Sequence, residues 1–201
     1  MSVKVLVTGF EPFGAHSENS SWEVARRVSP CVNGVDVAVE QLPVSFRRVE
    51  AVLRDAVNRH CPEVLIMLGQ SALTDRVKLE RVALNMMDSK MGDNNGYKPS
   101  EEAIYEGENN ALFTTMPIKR LYQAITEQGI PAKISNSAGL YVCNRTYYGA
   151  LRLCNEKAIR AIFVHLPLFE GQITSNSEAK KMPLSDMVSA IEIIINEVTK
   201  I

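Results

Sequence analysis

The chain has 201 residues, 46% of them hydrophobic, enough to bury a full core and short enough to read as one catalytic domain over residues 1–201. Lys and Arg total 22 against 23 Asp and Glu, a formal net charge of −1. No excess of positive charge therefore points to nucleic acid or to an anionic membrane, and a small or peptidic substrate is expected.

In chain order, Met1-Ser2 runs straight into an apolar strand, Val3 to Thr8, too short for a signal segment or a membrane span, so the cytoplasm is the expected compartment. A polar loop and a helix from Ser21 to Val28 follow; Val35 to Leu42 reads as a half-buried strand and Ser45 to Arg59 as a helix ended by Pro62. Glu63 to Leu68 is a buried strand, and Val77 to Met87 an extended stretch with Glu80 inside it. Asp88 to Glu102, punctuated by Gly92, Gly96 and Pro99, is a loop or lid. Pro117 opens a helix to Gln128, Ala132 to Ser135 is a short strand, and a helix from Asn144 to Lys157 leads into the strand Arg160 to Leu166. After a polar loop, Gly171 to Lys181, Ser185 caps a last helix with the apolar stripe Met187, Ile191, Ile194, Ile195 and Val198. The βα alternation predicts an α/β domain with helices on both faces of a mostly parallel sheet. Function then gathers at the carboxyl ends of strands, at Gly9-Phe10, Gly69-Gln70 and His165.

Cys143 stands at a helix mouth, where unpaired N–H groups and the positive end of the dipole favour thiolate over thiol. His165 interrupts the run Ile162-Phe163-Val164 and is either a satisfied core histidine or the base for that thiol. Glu80 has two readings as well. It orients a histidine from within the protein, or it faces solvent paired with Lys78 or Arg81. Phe10 and Phe13 either pin the first loop to the core or wall a small apolar pocket; a phosphate loop is disfavoured because Ala15-His16 stands where a lysine would be needed. His16 and His60 have ordinary structural explanations, as do Cys31, Cys61 and Cys154, and no chelating spacing calls for a metal. The cysteines are too widely spaced for a disulfide framework, so reduced thiols are expected.

Taken together, Val5 to Gly14, Glu80-Arg81-Val82-Ala83-Leu84-Asn85, Ser135 to Asn144 and Val164-His165-Leu166-Pro167 resemble the pyroglutamyl peptidase I (pyrrolidone-carboxylate peptidase) family of cysteine peptidases. The resemblance covers nearly the whole chain. It implies a three-layer α/β/α sandwich around a twisted, mostly parallel sheet, no cofactor, and a homo-oligomer, dimer or tetramer. It makes Cys143 the nucleophile, His165 the base and Glu80 the orienting acid. Its lactam pocket falls on Phe10, Phe13, Gln70, Tyr141 and Val142, with Asn19 supporting the first loop. The implied substrates are peptides with an N-terminal pyroglutamate; a thiol amidase with another acyl substrate and a non-catalytic small-molecule binding protein are the alternatives. The chain departs from the family at Ala72-Leu73-Thr74, where a glycine pair and an arginine are usual, and at Leu79, His16, Ser20 and Met87. The first two departures lead one to expect an altered pocket.

Overall fold

The run Lys4–Phe10 is apolar on both sides, and a strand of that kind must lie inside a sheet covered on both faces. In the computed structural model, which describes residues 4–172, 178–198 and 200, it does. The elements are β1 (Lys4–Phe10), α1 (Ser20–Ala25), β2 (Cys31–Val32), β3 (Val35–Leu42), α2 (Val49–His60), β4 (Val64–Gln70), β5 (Val77–Glu80), β6 (Val82–Leu84) and β7 (Ala111–Phe113). They continue with α3 (Ile118–Glu127), β8 (Ala132–Ser135), α4 (Val142–Lys157), β9 (Arg160–Leu166), β10 (Leu168–Phe169), β11 (Lys181–Met182) and α5 (Leu184–Val198).

Seven strands form the main sheet in the order β2-β3-β1-β4-β9-β5-β8. The pairs β3·β1, β1·β4, β4·β9 and β5·β8 are parallel, and β2·β3 and β5·β9 antiparallel. Alternation along the strands feeds two cores. Val5, Val7, Ile66, Leu79 and Val164 face α1, α3 and α5, whereas Leu6, Leu65, Met67 and Phe163 face α2 and α4. The fold is the α/β sandwich with helices on both faces that the sequence implied, and the stripe on α5 is buried throughout.

Several boundaries differ from the periodicity. The stretch Val77 to Met87 is two strands, because the chain leaves the main sheet at Arg81 and β6 pairs with β7, an element the periodicity did not show. Helix α2 starts at Val49 rather than Ser45, since the Phe46 N–H is taken by Asp93 Oδ2 at 2.9 Å. Helix α1 ends at Ala25, and Arg27 and Val28 turn away through bonds to carbonyls three residues back. Ser185 does not cap α5. The helix begins at Leu184 with the Pro183 carbonyl accepting from Asp186 and Met187, and the Ser185 hydroxyl turns to Asp186 Oδ1. The start proposed for the first strand at Val3, and part of the Gly171 to Lys181 loop, lie outside the described residues.

Two glycines fix close approaches beneath the site. A Cβ at Gly9 would lie 2.6 Å from the Ser21 carbonyl oxygen, where α1 crosses the end of β1. At Gly69, paired with His165, it would lie 2.7 Å from the Phe163 ring and 3.0 Å from the His165 ring.

Candidate active site

Helix α4 begins at Val142, so Cys143 is its second residue, and Tyr141 at the N-cap position offers no capping side chain to the first N–H groups. What holds that helix mouth in place is the next residue. Fully buried Asn144 accepts from Leu84 N–H at 2.9 Å and donates to the Leu84 and Met86 carbonyls at 2.8 and 2.9 Å, so its amide completes the edge of β6.

His165 comes to the same place from the end of β9. Its Nδ1 lies 2.9 Å from Glu80 Oε1, and its ring packs on Phe163 with centroids 4.9 Å apart. Glu80 has no exposed surface, which removes the solvent-facing reading, yet the pairing that reading invoked is also present: Lys78 Nζ lies 3.4 Å from the same Oε1. The antiparallel register sets Lys78 opposite His165, so all three side chains project from the α4 face of the sheet. Tyr147 donates its hydroxyl to the Glu80 carbonyl at 2.9 Å and fixes the backbone below. The second carboxylate oxygen, Oε2, is buried and has no partner among the described residues.

The thiol is not the ready thiolate that a helix mouth alone predicts. Burial pushes Cys143 up to about 12, and the charge of Glu80 adds to the rise. Its own backbone N–H and Lys78 oppose that rise without overcoming it. The balance of these effects favours the thiol over the thiolate in the free site.

Cys143 and His165 line a cavity of about 120 Å³ with Phe10, Phe13, Asn19, Val44, Gln70, Ala138, Tyr141 and Val142. This is the scale of the roughly 150 Å³ cavities that accept a single benzene ring. Every residue proposed for the pocket is among them, and only Glu80 stands behind, reached through His165. Phe10 belongs to the core and lines the cavity at once, so its two readings were not exclusive. Residues 71 to 79 are not among the residues that line the cavity, so the departures at Ala72-Leu73-Thr74 and Leu79 do not reach its wall directly; Leu79 is a buried strand residue and Leu73 is exposed. His16 packs its ring behind Phe13 with centroids 5.9 Å apart, and His60 meets Glu40 at 2.7 Å at the end of α2.

The wall of the cavity is tied to distant segments. Asn19 caps α1, accepting from Ser21 N–H at 3.0 Å, and donates to the Glu11 carbonyl at 2.9 Å. Glu11 accepts from Val44 N–H and Asn94 Nδ2, each at 2.9 Å, and Tyr141 donates to the Gly92 carbonyl at 3.0 Å. The polar stretch Asp88 to Glu102 is thus an ordered loop docked on the pocket, organised by buried Asp93, which accepts from Asn95 and Tyr97 as well as Phe46. Burial pushes the Tyr141 hydroxyl up to about 12, helped by Asp93, so it stays a donor. Sequence reasoning assigned no role to Asn144, Lys78 as part of the site, Val44, Ala138 or Asp93. A polar residue directly after Cys143 was the one available signal for Asn144.

A larger open groove, about 700 Å³, lies at the other end of the sheet beside β2 and α5 and includes Cys31, Asn33 and Glu192. It contains no histidine, so it offers nothing comparable to the Cys143 and His165 pair.

A family model described as pyroglutamyl peptidase matches residues 3–201. The pyrrolidone-carboxylate peptidase of Thermococcus onnurineus is 41% identical over 195 residues, 96% of this chain and 97% of its own length. The crystal structure of Bacillus amyloliquefaciens pyroglutamyl peptidase I superposes with a TM-score of 0.90 at 36% identity, covering 96% of this chain and 94% of that one. Pyrrolidone carboxyl peptidase from Pyrococcus furiosus gives 0.94 at 33% identity, with 98% and 99% covered.

Proposed function

The chain belongs to the pyroglutamyl peptidase family, and from that premise we propose how its residues divide the work of a cysteine peptidase on peptides with an N-terminal pyroglutamate. Cys143 attacks the carbonyl that joins pyroglutamate to the next residue, passing its proton to His165 as the C–S bond forms. His165 then protonates the leaving amine, the C–N bond breaks, and a thioester remains. Water attacks that thioester with His165 again taking the proton, and pyroglutamate leaves as the free acid. Glu80, accepting from Nδ1, keeps Nε2 available for this traffic and stabilises the imidazolium. The uncapped N–H groups at the start of α4 are the donors nearest in sequence to the nucleophile and serve the developing oxyanion.

The observation that carries the specificity is Gln70. Its Oε1 is occupied by Ser20 N–H at 2.8 Å and Gln172 Nε2 at 2.9 Å, while its Nε2 is buried and, among the described residues, has no partner at the cavity wall. A pyroglutamyl ring brings a carbonyl where a free N-terminus would bring a charge, and an idle amide donor among Phe10, Phe13 and Tyr141 suits the first and not the second. Release of a fluorophore from a pyroglutamyl amide under reducing conditions tests the reading. Activity abolished by Cys143→Ala is the expected result; no turnover by the intact protein, or turnover surviving that substitution, contradicts it.

The same reading makes residues 1–201 one catalytic domain, acting in the cytoplasm, where thiols stay reduced. It also makes the protein a dimer or tetramer, with the exposed apolar side chains of Leu73 and Phe113 as support and light scattering as the check.

A further inference from the structure

The amide of Gln70 is held in place, and its holders lie outside the cavity. Rotating that carboxamide by half a turn would set its NH2 against two other donors, Ser20 N–H and Gln172 Nε2. Gln172 is fixed in turn. It is almost wholly buried, its Nε2 also donates to the Glu18 carbonyl at 3.0 Å, and its Oε1 accepts from Phe169 N–H at 3.3 Å. A chain of hydrogen bonds therefore runs from the backbone of Phe169 and Glu18 through Gln172 to Gln70 and ends at the cavity wall on an N–H that no described residue pairs. Reversing Gln172 would face its oxygen toward the Glu18 carbonyl and its NH2 toward Phe169 N–H, so neither amide turns alone without opposing like groups.

We propose that Ser20 and Gln172 are positioning residues for substrate specificity, which fix the Gln70 carboxamide so that the pocket presents a donor to the ring carbonyl of the substrate. The inference rests on the pocket assignment above and adds to it the groups that decide its polarity. A glutamine free to turn would present donor and acceptor alternately and recognise a lactam carbonyl only part of the time. A fixed one meets it without that loss.

The lock can be dismantled one donor at a time. Ser20 is the first residue of α1, where proline suits a helix, and Asn19 before it is extended with ψ 119°, the conformation that precedes proline. Ser20→Pro thus deletes the N–H within a helical backbone, and its Cδ, standing where that N–H met Gln70 Oε1 at 2.8 Å, also pushes the carboxamide off this position. Gln172→Met removes the second donor at similar volume. The measurements are KM and kcat on a pyroglutamyl fluorogenic amide, with the Cys143 alkylation rate and the thermal midpoint as controls for distortion. Expected is a rise in KM of about threefold for each single variant and about tenfold or more for the double, approaching Gln70→Leu, with kcat and alkylation close to those of the parent. A double variant with parental KM, beside a Gln70→Leu that raises it, overturns the proposal and leaves the pocket assignment standing. Gln70→Leu with parental KM overturns both. Should Gln172→Met not fold, Ser20→Pro decides alone: an unchanged KM overturns the lock. If KM, alkylation and thermal midpoint all shift together, the two residues are structural only and the proposal is overturned.

Discussion

Glu80 places both of its neighbours on one oxygen, His165 at 2.9 Å and Lys78 at 3.4 Å, and this asymmetry separates two roles that the carboxylate plays. It orients the imidazole, and by its charge it also raises the thiol. Glu80→Gln should therefore lower turnover by about 10²–10⁴-fold through loss of the imidazole tautomer, with KM little changed. Alkylation of Cys143 by iodoacetamide should not fall in parallel, because the charge that disfavours the thiolate has gone; a parallel fall of both would contradict the division. Lys78 acts in the opposite sense on the thiol. Lys78→Met is expected to slow alkylation at pH 8 by roughly threefold to tenfold, and an unchanged rate would show that its charge is screened. The sequence placed Lys78 beside Glu80 but only as an alternative to His165, because a one-dimensional reading cannot show that one oxygen serves two donors.

At the scale of elements, α4 and β6 depend on each other through Asn144. Its three hydrogen bonds to the backbone of Leu84 and Met86 substitute for a missing strand neighbour, and they hold the cysteine against the strand that follows Glu80. Asn144→Ala leaves those buried groups without partners and should cost about 2–4 kcal/mol in urea unfolding, with turnover falling more than KM changes. A variant of unaltered stability and rate would mean that the helix mouth is held elsewhere. The main strands and helices were legible because apolar runs and the helical period mark them, as in β4 and α5. The break at Arg81 was not legible. Val77 to Leu84 is strand-like throughout, and only the choice of partners, β8 and β9 before the break and β7 after it, divides it.

Across the whole molecule, burial holds protons that an unfolded chain would release. Cys143 and Cys154 are both pushed up to about 12, chiefly by burial, against about 8.5 for a free thiol, and Tyr141 to about 12 against about 10. Between those values the folded state binds more protons than the unfolded one, so stability is intact below about pH 8.5 and is lost as pH rises toward 12. The urea midpoint should be lower at pH 10.5 than at pH 8, and Cys154→Val should flatten part of that slope; a midpoint independent of pH contradicts it. The sequence by itself determined the alternation of strands and helices, the cysteine at a helix mouth, and, through four motifs in order, the family. Those are properties of local period and of residue identity. Only the tertiary structure decided that its surroundings raise the Cys143 thiol, that Asp88 to Glu102 is docked on the pocket, and that Gln70 holds its donor at the cavity wall. Each of these depends on burial or on a partner far along the chain, Gln172 lying 102 residues from Gln70 and Glu80 lying 85 from His165, and neither burial nor partnership is set by a residue's neighbours in sequence.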